Sequence, residues 1–366
     1  MRIFYAVPST PHQTHLPASK VWENNLYRPL VDLGHQVEVF DFDFKDVIRH
    51  VDVESQVDRE FIAARRPLFS EELLGQVRKA HSRQPVDVFF SYFYSAFVEP
   101  EAIRQIGDLG ITTINWYCNA SYQLNLVSEI APAYHYCLVP ERFRLEDYRR
   151  IGANPIYCQE AANPNVYSPR TVPVEFDVTF VGQRYGNRAW YMRALVDAGV
   201  DARAWGPRWD QPTARRAWWR RVGSTLRSAA SGKARLADVT FPLDRAGPPL
   251  SDEEVIEMYS RSKISLGFTT VAGDSGIRQV RLRDFEAPMS GAFYMVERFD
   301  ELEEFFEPNR EIVFFDSREE LVDRVKYFLS HETERRRIRD AGMRRARSEH
   351  TWQKRFEAVF RQIGRG

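Results

Sequence analysis

A chain of 366 residues exceeds what one hydrophobic core usually serves and suits two α/β domains. Lys+Arg and Asp+Glu each number 51, so the chain lacks the basic excess of a dedicated nucleic-acid binder, and no nucleic-acid partner is expected. Hydrophobic residues at 43% argue against global disorder, and Cys118, Cys137 and Cys158 stand too far apart for a Cys-x-x-Cys zinc or disulfide framework.

In chain order, the apolar run from Met1 to Val7 is too short for a secretion signal and reads as a first strand. Further strands are predicted at 36–40, 86–91, 111–116, 136–139 and 156–159, with helical spacing between them at 21–33 and 99–109. Continuous apolar strands separated by helices predict a parallel sheet covered on both faces, as in a Rossmann-like domain. The passage 162–169, rich in Pro and Asn, reads as a linker. Strand–helix alternation then restarts, with strands at 176–182, 201–205, 263–268, 292–296 and 311–315 and helices at 188–198, 251–262 and 318–330. Residues 207–250 break the rhythm as an insertion, within which 213–222 is basic and aromatic; strand character returns only near 238–241. No apolar stretch approaches the roughly 20 residues needed to span a bilayer, so a cytoplasmic protein is expected. These elements place a first domain at 1–170, a second at 171–348 and a last helix within 349–366 that can pack back on the first.

The most informative segment is 273–291. It opens in a small-residue loop after a strand and closes at Ser290-Gly291, and its spacing predicts one helix from about Ile277 to Met289. On that reading Gln279, Arg283 and Glu286 share a face. The helix N-terminus, with Gly276 allowing close approach, is a seat for a diphosphate. Arg278, Arg281 and Arg283 supply charge to neutralise it without a divalent metal, and Glu286 is placed to accept hydrogen bonds from ribose hydroxyls. Spacing alone equally describes a surface helix on which Arg283 and Glu286 form a solvated i,i+3 pair.

Resemblance weighs against that blander reading. Phe180-Val181-Gly182 followed by Arg188, Trp205-Gly206, the run 259–266, and Arg283-Asp284-Phe285-Glu286 with Gly291 occur in order. Phe305-Phe306-Glu307 before Glu311-Ile312, Ala341-Gly342, and His350-Thr351-Trp352 with Arg355 complete the series. Together they resemble the CgeB-like (spore maturation protein) glycosyltransferases of the GT-B group. Residues 163–169 resemble the linker of such enzymes, and Trp22 to Tyr27 and Leu33-Gly34-His35 resemble their first domain. The resemblance implies a GT-B fold: two Rossmann-like domains facing across a cleft, the first binding the acceptor and the second a nucleotide-sugar donor. It implies transfer to a glycan, lipid-linked or small-molecule acceptor with no cofactor and no divalent metal. Glu286 would hold the donor ribose, the helix N-terminus and Arg283 the diphosphate, and the loop Gly182 to Arg184 would close over the phosphates. Many retaining GT-B enzymes carry Glu eight residues before the ribose-binding Glu; Arg278 stands there, so retention does not carry over.

An acceptor-side base is sought in the loop 8–15 after the first strand, where His12 and His15 are candidates because histidine is the side chain whose ordinary pKa lies near neutral. Asn119, after the strand at 111–116, cannot act as a base and would position acceptor. The stretch 213–227 carries Trp218, Val222 and Leu226 on one stripe flanked by arginines, which suits peripheral contact with an anionic membrane or packing on the second domain. Two other readings share the fold: a nucleotide-sugar epimerase and a non-catalytic nucleotide-sugar-binding protein.

Overall fold

The structure is a computed structural model that describes residues 1–8, 19–209, 240–271 and 276–365. Its contacts divide the described residues into two units. One holds 1–8, 19–166 and 349–365; the other holds 167–209, 240–271 and 276–348. No helix among the described residues is long and apolar enough to cross a membrane.

The first unit is built on a parallel sheet of β1 (Arg2–Ala6), β2 (Gln36–Val39), β3 (Val88–Ser91), β4 (Thr112–Trp116), β5 (Tyr136–Val139) and β6 (Pro155–Tyr157), in the order β2-β1-β3-β4-β5-β6. Every residue of β3 is buried, as expected of a strand covered on both faces. An aromatic cluster fills one side of the sheet, with Phe69 of the Gln56–Arg83 helix 5.5 Å from Phe40 and 5.3 Å from Phe93, ring centroid to centroid. The last helix, Trp352–Gln362, belongs to this unit. Trp352 is fully buried with its ring edge-on to Trp116 at 5.2 Å. The Ala162 carbonyl accepts the Trp352 N–H at 3.2 Å.

The second unit repeats the plan with β7 (Phe176–Val181), β8 (Ala202–Trp205), β9 (Ala246–Gly247), β10 (Ser262–Gly267), β11 (Tyr294–Glu297) and β12 (Val313–Phe315), in the order β12-β11-β10-β7-β8-β9. All its pairings are parallel. Val178, Phe180, Ile264, Leu266 and Met295 form one core with Met192, Leu195, Leu321 and Val325 of the covering helices. The strand order reverses at the β7–β10 pair, and in open α/β sheets such a switch point is where ligands seat, beyond the carboxyl ends of the strands. At 240–241, where strand character was expected, the described residues are not in a strand; pairing resumes at Ala246–Gly247. The basic stretch 213–227 lies outside the described residues.

Gly342, inside the Glu332–Glu349 helix, shows why the Ala341-Gly342 pair follows Glu311-Ile312 in the pattern. A Cβ there would stand 2.2 Å from the Glu311 carbonyl oxygen. Alanine normally stabilises a helix interior by roughly 0.5–1 kcal/mol over glycine. Here Gly342→Ala is expected to lower stability by about 1–3 kcal/mol instead, through overpacking. Denaturant unfolding of the two proteins checks the sign.

Candidate functional site

The site is built at the ends of β7 and β10. Gly182 leaves β7 pinned on both sides: its N–H donates to the Trp205 carbonyl at 2.8 Å, and its carbonyl accepts Trp209 Nε1 at 2.6 Å. Gly206 has φ +136°, and a Cβ there would lie 2.4 Å from the Gly182 oxygen, so the two backbones touch only because 206 has no side chain. The Arg184 N–H continues the contact, donating to the Pro207 carbonyl at 3.0 Å. Gly182 has a second role. A Cβ on it would stand 2.8 Å from the Phe180 ring tip and 3.1 Å from an Arg283 Nη.

Phe180 is the seat of a cationic cluster. The Arg283 guanidinium lies 5.6 Å from its ring centroid and that of Arg188 5.2 Å. Arg188, at the start of the Arg188–Asp197 helix, is 2% exposed; it donates to the Gln183 carbonyl at 2.8 Å and to the Tyr185 hydroxyl at 2.5 Å. Arg281 donates to the Thr270 carbonyl at 3.4 Å. The Nε–H groups of Arg188, Arg281 and Arg283 are buried, and each lacks a hydrogen-bond partner among the described residues. Burial, and then the neighbouring Arg281 and Arg283, push the Arg188 guanidinium down to about 9. Burial pushes Arg184 down as well. Burial also acts to lower Arg283, but the phenols of Tyr259 and Tyr294 and the carboxyls of Glu286 and Asp284 outweigh it and hold it above its ordinary value.

The helix carrying Arg283 starts later than the periodicity predicts. It runs Leu282–Met289, while 277–279 is extended and pairs back on 269–271: Thr270 bridges Arg278 antiparallel, and the Gln279 N–H donates to the Thr269 carbonyl at 3.0 Å. Gly276 therefore sits in an exposed turn and not at a helix N-terminus. The true start is set by Asp284, whose carboxylate accepts the Arg281 N–H at 2.8 Å and the Tyr294 hydroxyl at 2.6 Å. Arg278 points elsewhere, donating to the Arg298 carbonyl at 2.5 Å with its other terminal nitrogen 3.9 Å from Glu297. Glu286 is 8% exposed and Arg283 half-buried, so the solvated surface pair that spacing allowed is not what the fold makes. Glu286 faces Tyr259 and Arg283.

Of the residues read from sequence, Gly182, Arg184, Arg283 and Glu286 come together here, while Gly276 and Arg278 stand off the cluster. Arg188, at a helix start, joins them as a buried member. Its signal was the aromatic pair Phe180 and Tyr185, which a guanidinium can stack on. In the first unit, Asn119 follows β4 as the N-cap of the Ala120–Gln123 helix, its carbonyl accepting Gln123 N–H at 3.0 Å. His12 and His15 lie outside the described residues. No group of three or more metal-ligating side chains occurs among the described residues.

Residues 187–361 match the family model described as glycosyl transferase-like. The whole chain superposes on solved GT-B glycosyltransferases. Sucrose-phosphate synthase from Thermosynechococcus elongatus aligns over 100% of this chain and 99% of its own, at 13% identity and a TM-score of 0.58. HepE from Anabaena, solved in complex with UDP and glucose, aligns over 100% and 99% at 11% identity and 0.58. An α-glucosyltransferase in complex with UDP-glucose and DNA containing an abasic site aligns over 100% and 99% at 12% identity and 0.60. The chain has the GT-B fold, and its residues 187–361 carry a glycosyl transferase-like domain. The structural likenesses, at such low identity, carry the fold; the family match carries the activity. No curated protein matches the chain in sequence.

In this glycosyltransferase the Asp284–Tyr294 bond anchors the helix under the cluster. Burial raises the Asp284 carboxyl above its ordinary range, and the Tyr294 hydroxyl partly offsets this. A carboxyl raised in the fold contributes fully below its unfolded pKa and loses stability as pH rises through its folded one. Tyr294→Phe should therefore cost about 1–3 kcal/mol, and the deficit should be larger at pH 7 than at pH 4. Urea titrations at the two pH values measure this.

Proposed function

We propose that the second unit binds a nucleoside diphosphate sugar, with the diphosphate on Arg188, Arg281 and Arg283 and the ribose on Glu286. The observation that carries this reading is the set of three buried guanidinium Nε–H groups, on Arg188, Arg281 and Arg283, that lack a partner among the described residues, with Arg188 and Arg283 both over the Phe180 ring. Buried donors without acceptors are costly, and an anion with several oxygens removes the cost in one step. The charge that develops on the leaving diphosphate as the glycosidic bond breaks would form within this preorganised field. Arg184 and the Gly182 turn flank the cluster; Arg278 and Gly276 have supporting roles in the hairpin that leads to it. UDP is the first nucleotide to try, because HepE and the α-glucosyltransferase were solved with UDP or UDP-glucose.

The remaining parts follow the same reading. Charge neutralisation rests on arginine, so transfer is proposed to proceed in the presence of a chelator. The first unit binds the acceptor, with Asn119 among its contacts and His12 or His15 as candidate bases. The acceptor is a glycan, a lipid-linked sugar or a small molecule, and 213–227 would give a lipid-linked acceptor its membrane contact on the cytoplasmic side. Within the GT-B group the ordered motifs favour the CgeB-like branch.

Calorimetry with UDP and uridine tests the assignments. Arg283→Ala should weaken UDP by roughly 10- to 100-fold, the worth of a charge-assisted bond, and leave uridine nearly unchanged. Glu286→Ala should weaken both by a similar factor, about tenfold. Equal losses of UDP and uridine for Arg283→Ala would remove its phosphate role. Unchanged uridine binding for Glu286→Ala would remove its ribose role.

A further inference from the structure

Glu297 closes β11, and although it is an acid at the end of an apolar strand it is 1% exposed. Its carboxylate gathers donors from separate parts of the unit. The N–H groups of Thr269 and Thr270, just past β10, donate to Oε2 at 3.1 and 3.0 Å, and the Thr270 hydroxyl lies 2.9 Å from both oxygens. Asn187 Nδ2, one residue before the Arg188–Asp197 helix, donates to Oε1 at 2.8 Å. Arg278, in the extended arm before the Leu282–Met289 helix, brings a terminal nitrogen to 3.9 Å of the same oxygen.

Each of these donors is one short step from the cationic cluster. Asn187 precedes Arg188 in the chain. Thr270 holds the Arg281 side chain through its carbonyl, at 3.4 Å. Arg278 shares its arm with Arg281. An apolar side chain would close a strand end at a lower desolvation cost than a carboxylate. What it would not do is orient backbone N–H groups, an amide and a hydroxyl at once, with directional bonds that fix each segment's approach.

We propose that Glu297 is a positioning residue for the donor site. It touches no substrate; it holds the start of the Arg188–Asp197 helix together with 269–271 and 276–283, so that Arg188 and Arg281 meet the diphosphate in one geometry. The proposal rests on the donor-site reading above. Holding reacting partners to within fractions of an ångström is where such anchors act, since about 1 Å of misplacement costs on the order of 100-fold.

The test uses Glu297→Gln, which keeps shape but offers an NH₂ to neighbours that are themselves donors, and Thr270→Val, which removes a single hydroxyl. Calorimetry with UDP and uridine is combined with hydrogen exchange of the ligand-free proteins, read by mass spectrometry. Glu297→Gln should lower UDP affinity by about tenfold or more, with uridine changed less than about twofold. Exchange should speed up in 269–271 and 276–283 while β7 stays as protected as in the wild type. Thr270→Val should shift both readouts the same way by less. Equal weakening of UDP and uridine with faster exchange throughout the unit would mean a purely structural role and overturn the proposal. Unaltered exchange in 269–271 and 276–283 would overturn it too. A wild-type chain that binds UDP no better than uridine would instead sink the donor reading, and exchange would still decide whether Glu297 anchors those segments.

Discussion

Arginines crowded against Phe180 are the constraint on which the rest of the second unit depends. Three guanidiniums at the end of a sheet, each with a buried Nε–H that has no partner among the described residues, form an arrangement that folding alone does not favour. The depressed pKa of Arg188 expresses this: burial and the like charges of Arg281 and Arg283 work against its cationic form. Proteins hold such arrangements at functional sites, where the ligand supplies the missing counter-charge. On the proposed donor reading, that counter-charge is the leaving diphosphate, whose negative charge grows as the bond breaks.

The frame around the cluster uses groups that leave those donors free. Glycines at 182 and 206 let two loops and a guanidinium approach within van der Waals limits that a methyl group would break. Asp284 and Tyr294 fix the helix start from beneath, and Glu297 ties the neighbouring segments from the side. The acids nearest the cluster are thus engaged with backbone N–H groups, hydroxyls and an amide. Glu286 is the one that faces Arg283 directly, which leaves it beside the cluster where the proposed ribose contact is assigned.

The alternation of strands and helices was legible because parallel strands buried on both faces read as unbroken apolar runs, and β3, with all four residues buried, is the plainest case. Arg283 and Glu286 were legible only through family resemblance, since their spacing fits a surface ion pair equally well. The start of their helix was misread for a definite reason. Arg278, Leu282, Phe285 and Met289 fall at helical intervals, but 277–279 pairs with 269–271, a contact no periodicity encodes. The local clue was Asp284, three residues after Arg281, as a capping acid. Glu297 was out of reach for the same physical reason: its meaning lies in partners 27, 28 and 110 positions away.

The measurement that bears most directly on the account is a crystal structure of the chain grown with UDP. The account predicts the diphosphate oxygens within hydrogen-bond distance of the guanidiniums of Arg188, Arg281 and Arg283, with the ribose hydroxyls on Glu286. A nucleotide bound elsewhere on the chain, with those three Nε–H groups still without an acceptor, would contradict it.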